Sequence, residues 1–270
     1  MVGVIGVGVC GTAIKTTFEK FNVPVVGYDK FKAEYPWTTE IVKTKMIFVC
    51  VPTPTINDLQ DITALDECLS ILCSSNYDGV VIIKSTILPG TTQAMSAKYL
   101  NLRLVHCPEF LTEKNALDDF MTEKNCIISG ADRDCAEINN FFKETIGERI
   151  MCYSEDYEVT ELAKYMHNCY LALKVSFCNE FYSLSNKLGI HYDVVRDFTV
   201  HMGKMSKVHT QVPGPDNKFG FGGMCLPKEL DAIIPWATRK GVLLNTMVGA
   251  RNTNQITQEK NVERYCELGY

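Results

Sequence analysis

The strongest constraint on this chain is the run from Glu155 to Lys187, EDYEVTELAKYMHNCYLALKVSFCNEFYSLSNK. It holds neither glycine nor proline and returns apolar residues at helical spacing. At about 1.5 Å per residue such a helix is roughly 50 Å long, more than one globular domain ordinarily uses. Ser154, followed by Glu155, Asp156 and Glu158, supplies an N-terminus: a hydroxyl to cap open N–H groups and carboxylates at the positive end of the dipole. Gly189 supplies the stop. Strands alternate with helices before the rod, and almost only helices follow it. It therefore joins two domains, with segments at 1–153, 154–188 and 189–270. Lys164 and Asn168 fall one turn apart on it and share a face; taken alone, the pair suits a solvated polar stripe.

The N-terminal segment opens with VGVI (Val2–Ile5), a buried strand, followed by Gly6-Val7-Gly8-Val9-Cys10-Gly11 and a helix to about Lys20. A second strand, Val23–Tyr28, ends at Asp29. This order suits a dinucleotide. One glycine makes the tight turn, one admits the pyrophosphate, and one lets helix and strand pack closely, while the helix start receives the anion. Asp29 stands where a carboxylate holds the ribose hydroxyls and repels a 2′-phosphate, which favours NAD over NADP; Lys30 beside it argues the other way. The alternative is a glycine-rich turn without a ligand.

A helix is expected near Glu40–Lys45 and a buried strand over Met46–Val51, closed by Pro52-Thr53-Pro54. That loop serves equally well as a ligand-facing strand end or an ordinary turn. A helix (Ile62–Cys73) and a strand (Val80–Lys84) lead to Ser85-Thr86-Ile87-Leu88-Pro89-Gly90-Thr91-Thr92, hydroxyls again at a strand's carboxyl end. The strand Arg103–His106 runs into Cys107-Pro108-Glu109-Phe110-Leu111-Thr112-Glu113. Glu109 and Glu113 share a face if a helix starts at Pro108, either as a functional pair or as first-turn acids offsetting the dipole. A strand at Cys126–Ser129 and a helix at Asp134–Glu144 close the segment. Past the rod come a helix from Tyr192 to Thr199, a polar loop over 209–218, and Phe219-Gly220-Phe221-Gly222-Gly223-Met224-Cys225-Leu226-Pro227-Lys228-Glu229. Glycines there let backbone approach a ligand and leave the Cys225 thiol on an accessible turn. Lys228 and the helix start favour the thiolate, the form that attacks carbon. Helices over Leu230–Lys240 and Leu243–Glu267 end the chain.

Composition narrows the function classes. With 46% hydrophobic and 22% charged residues and a net charge of -5, the chain is that of a soluble, mildly acidic protein, which argues against nucleic acid as a partner. No apolar run approaches the ~20 residues of a membrane span. The first residues pass straight into a strand without a basic leader, so no signal peptide is expected and the cytoplasm is the expected location. The 12 cysteines are scattered, several beside apolar strands, without a CxxC or a Cys/His cluster. Buried reduced thiols are the reading, and no metal is assigned.

Together these motifs resemble the UDP-glucose/GDP-mannose dehydrogenase family of nucleotide-sugar 6-dehydrogenases. The resemblance runs, in family order, through Gly6–Gly11, Val51–Pro54, Ser85–Thr92, Pro108–Glu113, Lys164 with Asn168, and Phe219–Lys228. It implies a doubly wound Rossmann-type parallel sheet joined by the long helix to an all-α second domain, and two successive hydride transfers to NAD at one site. By resemblance, Cys225 traps the aldehyde as a thiohemiacetal that becomes a thioester, and Lys164 and Asn168 stabilise charge on the substrate oxygen. Thr86 positions a water, with Glu109 as acid/base and Glu229 as a second carboxylate. The cofactor is expected against Gly6, Val7, Gly8, Val9, Cys10, Gly11, Asp29, Lys30, Val51, Pro52, Thr53, Ser85, Thr86 and Glu113. The nucleotide sugar, most simply UDP-glucose, is expected against Glu109, Phe110, Leu111, Glu113, Lys164, Asn168, Lys218, Phe219 and Gly222. A homodimer through the long helix completes the expectation.

Three departures accompany the match. Glu229 stands where the family has Asp, which moves the acid by about one methylene. The stretch between Asp29 and Val51 is short, so a strand–helix piece of the first domain is expected to be missing. The chain stops at Tyr270, after Asn252 and Gln255, where the family continues into a nucleotide-binding domain; a short form without that domain is expected. The arginine that many members use on the substrate phosphates is also missing, and Lys218 or His209 stands nearest to replace it. Competing readings are a single-step β-hydroxyacid dehydrogenase, which needs no thiol, and a non-catalytic truncated subunit that binds NAD or a nucleotide sugar.

Overall fold

The apolar runs of the N-terminal half become neighbouring strands. In the computed structural model, which describes the backbone of residues 1–267 and the side chains of residues 1–259, the order is β1 (Val2–Ile5), α1 (Val9–Lys20), β2 (Val25–Tyr28) and β3 (Met46–Val49). The short strands β4 (Thr55–Ile56) and β5 (Leu59–Gln60) follow, then α2 (Thr63–Ser74), β6 (Val80–Ile83), α3 (Thr91–Lys98) and β7 (Arg103–His106). Next come α4 (Ala116–Thr122), β8 (Asn125–Gly130), α5 (Asp132–Thr145), β9 (Ile150–Ser154) and the long α6 (Tyr157–Lys187). Helices α7 (Tyr192–His201), α8 (Leu226–Arg239) and α9 (Asn245–Glu267) complete the order. Two units form: Met1–Ile56 with Gln60–Lys164, and Asn57–Leu59 with the residues from Tyr165 onward.

The first unit is a seven-stranded sheet in the order β2-β1-β3-β6-β7-β8-β9. Val2 lies beside Val25 on one side and Met46 on the other, and Met46 beside Val80 in turn. Its central strands are buried on both faces, which is why they read as unbroken apolar runs. Alternation then sorts the side chains. Val2, Val4, Met46, Phe48, Val80 and Ile82 pack on one face with Phe18 and Phe142. Ile47, Val49, Val81 and Ile83 pack on the other with Leu65, Leu69 and Leu72. Each such side chain contributes roughly 1.5–3 kcal/mol by leaving water.

The doubly wound parallel arrangement holds except at one step. Strand β8 runs antiparallel to β7, with Val105 facing Gly130, because only the short α4 intervenes and no full crossover is made. Strand β9, absent from the sequence reading, pairs parallel to β8 at the sheet edge. Between Asp29 and Met46 the chain makes only a 3-10 turn, Ile41–Lys43, where a helix was expected. No helix starts at Pro108 either. Glu109 turns back to accept from its own Leu111 N–H at 2.6 Å, and the Thr112 N–H goes to the Asp119 carboxylate at 2.7 Å, so those donors leave the helical path.

Helix α6 is capped differently from expectation. The Asp156 carboxylate, not the Ser154 hydroxyl, accepts from the helical Glu158 N–H at 3.0 Å; the Ser154 hydroxyl accepts from the Asp156 N–H. At the other end Gly189 takes φ +67, and Ile190 N–H donates to the Ser185 carbonyl at 3.0 Å, a Schellman closure. In the second unit, every described element beyond α6 is a helix. The Ser176 hydroxyl on α6 donates to the Ala250 carbonyl on α9 at 2.8 Å. The Lys174 ammonium gathers the carbonyls of Ser206 and Val208, fixing the turn after α7. Among the described residues no helix is long and apolar enough to cross a membrane.

Candidate active site

The glycine loop between β1 and α1 is shaped by close approach. Gly6 takes φ +85, and a Cβ there lies 2.7 Å from the Cys50 carbonyl oxygen; a Cβ on Gly11 lies 2.0 Å from the Gly6 carbonyl oxygen. Neither position admits a side chain. Gly8, at the head of α1, meets open space instead. Beside it opens a cleft of about 540 Å³ lined by Gly8, Val9, Thr12, Lys32, Glu113 and Lys114, among others. A helix start with open N–H groups, two lysines and room for a diphosphate fits a dinucleotide.

Asp29 braces this loop. Its carboxylate accepts from the Val7 N–H at 2.8 Å and from the Phe31 N–H at 3.0 Å, while the Lys32 ammonium donates to the Val7 carbonyl at 2.7 Å. Lys30 instead pairs with Glu67 on the surface at 2.8 Å, a contact that raises the lysine's pKa.

The loops after β3 and β6 are tied to each other. The Thr53 hydroxyl donates to the Thr86 carbonyl at 2.6 Å, the Ser85 hydroxyl to the Val51 carbonyl at 2.7 Å, and Gln60 bridges to Thr86 and Leu88. Pro52 lies between these tied residues. Glu161, from the first turns of α6, holds the next turn. It accepts from the N–H groups of Gly90 and Thr92 and from the Thr92 hydroxyl, at 2.6 to 2.8 Å, capping α3 with a fully buried carboxylate. Burial pushes its pKa up, and these bonds pull it back.

Lys164 is buried in the same unit. Its ammonium stands 3.5 Å from the Glu109 carboxylate and 4.9 Å from the centre of the Phe110 ring. Lys164, Glu109 and Phe110 therefore meet, as a single site requires, while Leu111 packs against the sheet's core. Glu113 does not join them: it sits on a 3-10 turn and lines the cleft by Gly8.

In the second unit the Asn168 amide donates to the Glu229 carboxylate at 2.6 Å, and its oxygen lies 2.9 Å from His167 Nδ1. Glu229 is buried, with its second oxygen 3.6 Å from the Lys228 ammonium. Cys225 occupies the N-cap of α8 with an exposed side chain, and Pro227 lies in the first turn. Before it, Gly222 and Gly223 face open space. Phe219 packs on Tyr182, 5.3 Å between ring centres, so its ring belongs to the local core. Lys218 and His209 lie on exposed turns.

Sequence reasoning missed the side chains that hold this loop. Asn254 accepts from the Phe221 N–H at 2.6 Å and donates to the Phe221 carbonyl at 2.9 Å, Gln258 donates to the same carbonyl at 3.0 Å, and Asn179 accepts from the Gly220 N–H at 3.1 Å. Asn254 and Gln258 stand four apart on α9, a spacing that marks one face. Asn252, singled out from the sequence, is exposed.

Two family profiles cover most of the chain. The UDP-glucose/GDP-mannose dehydrogenase family, NAD binding domain, matches residues 19–146, and the central domain of that family matches residues 158–256. The chain belongs to this family. Its cofactor is NAD. Among curated relatives, a UDP-glucose 6-dehydrogenase of Rickettsia bellii is 25% identical over 228 residues, 81% of this chain and 51% of the relative. A UDP-N-acetyl-D-mannosamine dehydrogenase of Methanocaldococcus jannaschii is 29% identical over 206 residues, 73% of this chain and 45% of the relative. The chain thus spans about half the length of the curated relatives it matches. Among solved structures, a UDP-glucose dehydrogenase from Pyrobaculum islandicum superposes with TM-score 0.85 at 23% identity, covering 99% of this chain and 71% of that one, a likeness of fold. Relatives named for both sugars are thus similar to this chain.

Proposed function

We propose that this chain oxidises the C6 primary alcohol of a nucleotide sugar to a carboxylate, with UDP-glucose to UDP-glucuronate as the first case to test. The reading rests on Cys225: an exposed thiol at a helix start, behind glycines that leave its approach open. Bound NAD supplies the hydride acceptor for both oxidations. Lys164, desolvated beside Glu109 and Phe110, offers its charge to the substrate oxygen as the alcohol becomes an aldehyde. Asn168 adds an amide donor, oriented by Glu229.

The Cys225 thiolate then adds to the aldehyde carbon, and the oxygen takes a proton to give a thiohemiacetal. Loss of hydride and proton leaves a thioester. Water, deprotonated by Glu109 with Thr86 as its guide, adds to the thioester carbon; the carbon–sulfur bond breaks and the thiol is restored. In this reading segment 1–153 holds NAD, and segment 189–270 serves substrate and self-association.

A homodimer through α6 belongs to the same proposal. Met166, Tyr170, Phe177, Phe181 and Leu184 recur at spacings of three, four and seven along the helix, and all are exposed. A face of that kind is the seam of a helix pair.

Counting NADH per sugar tests the chemistry. The purified chain is incubated with NAD and, in turn, UDP-glucose, UDP-N-acetylmannosamine and GDP-mannose. Two NADH per sugar, lost in Cys225→Ser, is the expected result. One per substrate with Cys225→Ser unaffected points to a single-step alcohol dehydrogenase, and none points to a binding subunit.

A further inference from the structure

Outside the residues assigned above, one cluster in the first unit carries chemistry that the dehydrogenase reaction does not use. Lys84, one residue past β6, is buried, and its ammonium has two described contacts, the Pro108 carbonyl at 3.2 Å and the Cys107 sulfur at 3.5 Å. Cys107 follows the end of β7 and is also buried. Its sulfur lies 3.3 Å from the sulfur of Cys126 on β8, which is half-buried. A second thiol pair, Cys10 and Cys50, stands 3.8 Å apart.

A buried ammonium requires a counter-charge, and a lone carbonyl does not supply one. Among the described residues the nearest group able to carry negative charge is Cys107, with the Glu123 carboxylate acting on both Lys84 and Cys107 from further off. From the geometry we infer that Cys107 and Cys126 form an oxidisable dithiol, with Cys107 as the attacking thiolate and Cys126 as the resolving thiol. The hydrogen bond from Cys126 and the charge of Lys84 hold the Cys107 thiol below its ordinary range against the effect of burial. The Cys126 thiol is pushed up by the same hydrogen bond and by burial, so it keeps its proton for the second step.

The oxidant suited to so enclosed a sulfur is a small hydroperoxide. The Cys107 thiolate attacks the peroxide oxygen, the O–O bond breaks, and the leaving oxygen takes a proton as alcohol or, from hydrogen peroxide, as water. Cys107 is then a sulfenic acid. Cys126 sulfur attacks it, the S–O bond breaks, and water departs with the Cys126 proton. The net result is one disulfide from two thiols and one peroxide reduced. Closing the pair to a bond length of about 2.05 Å draws the start of the Pro108–Glu113 segment toward β8.

Peptide mapping of the full chain after brief treatment with hydrogen peroxide tests this inference. The native protein is alkylated and digested without reduction. The expected product is a Cys107–Cys126 linked pair that grows with exposure and disappears with dithiothreitol. In Cys126→Ser the resolving step is absent, and Cys107 is expected to take the sulfenic-acid label dimedone. In Lys84→Met the thiolate loses its cation, and Cys107 oxidation at neutral pH is expected to slow at least about tenfold as the thiol, held at about 6 in the parent, returns toward the ordinary range near about 8.5. Oxidation confined to exposed Cys152 and Cys225, with Cys107 and Cys126 recovered fully alkylated, overturns the inference. Wild-type rates in folded Lys84→Met do the same. Should Lys84→Met fail to fold, dimedone on Cys107 in Cys126→Ser supports the inference, and its absence there overturns it.

Discussion

Asn254 brackets the backbone of Phe221, accepting from its N–H at 2.6 Å and donating to its carbonyl at 2.9 Å. This one buried amide fixes the chain four residues before Cys225. Gly220 is glycine for the same reason: at φ +75, a Cβ there falls 2.3 Å from the Asn254 amide oxygen. Asn254→Ala leaves a buried N–H without its acceptor and is expected to cost about 1–3 kcal/mol. Gln258→Ala removes only one of two donors to the Phe221 carbonyl, so its cost stays within about 1 kcal/mol. Urea midpoints of the two variants check the ranking; equal losses refute the bracket.

The three motif glycines divide into two that pack and one that leaves room. Gly11→Ala places a methyl carbon 2.0 Å from the Gly6 carbonyl oxygen and should destabilise the fold by about 3 kcal/mol or more. Gly8 has φ -78 and open surroundings, so Gly8→Ala should fold within about 0.5 kcal/mol of the parent. It should nevertheless lose at least about tenfold in NAD affinity, near 1.4 kcal/mol, because the methyl occupies the diphosphate's approach. Thermal melts and NAD titration by calorimetry, run on both variants, separate the two roles.

The contrast between these loops explains what could be read from sequence. The Gly6–Gly11 turn and Asp29 are legible because turn, helix start and acidic partner lie within about two dozen residues, and their order is their chemistry. The strands of the sheet's centre are legible because burial on both faces leaves only apolar residues. Strand β9 is not, since an edge strand with IMCYS shows mixed exposure and no clean period. Glu161, Asn179 and Asn254 are not legible either. Each is a polar residue on a helix whose partner is backbone 71, 41 and 33 residues away, and nothing local marks it. The helix imagined at Pro108 failed because side-chain acceptors on Glu109 and Asp119 captured the N–H groups it needed.

His106 makes stability depend on pH in acid. It is fully buried, with Nδ1 at 2.8 Å from the Thr160 hydroxyl, and burial, aided by the charges of Lys84 and Lys164, lowers its pKa to about 3. The folded state therefore binds a proton far less readily than the unfolded chain, whose histidines titrate near 6.5. The resulting stability is fully present above about pH 6.5 and is lost as pH falls toward 3, at about 1.4 kcal/mol per unit. From pH 6.5 to 4.5 the wild type should lose about 2–3 kcal/mol more than His106→Gln does. Urea unfolding of both proteins across that range is the measurement, and parallel curves would dismiss His106 as the source.

Self-association through α6 can be tested at a pair of exposed rings. Phe177 and Phe181 lie one turn apart, their ring centres at 4.6 Å, and both remain exposed on the helix. The rings are 45% and 42% exposed, so burying what remains of both against a second copy removes on the order of 150–200 Å² of apolar surface per copy from water, about 4 kcal/mol at about 25 cal/mol per Å². A lysine at either position would have to be buried unpaired at the seam of a symmetric dimer, where it meets its own copy. Phe181→Lys should therefore run as a monomer in sedimentation velocity at concentrations where the parent is a dimer. Its melting temperature as a monomer should change by no more than loss of the Phe177 ring contact, about 0.5–1.5 kcal/mol, accounts for. A parent that sediments as a monomer, or a lysine variant that still dimerises, would place the interface elsewhere or remove it.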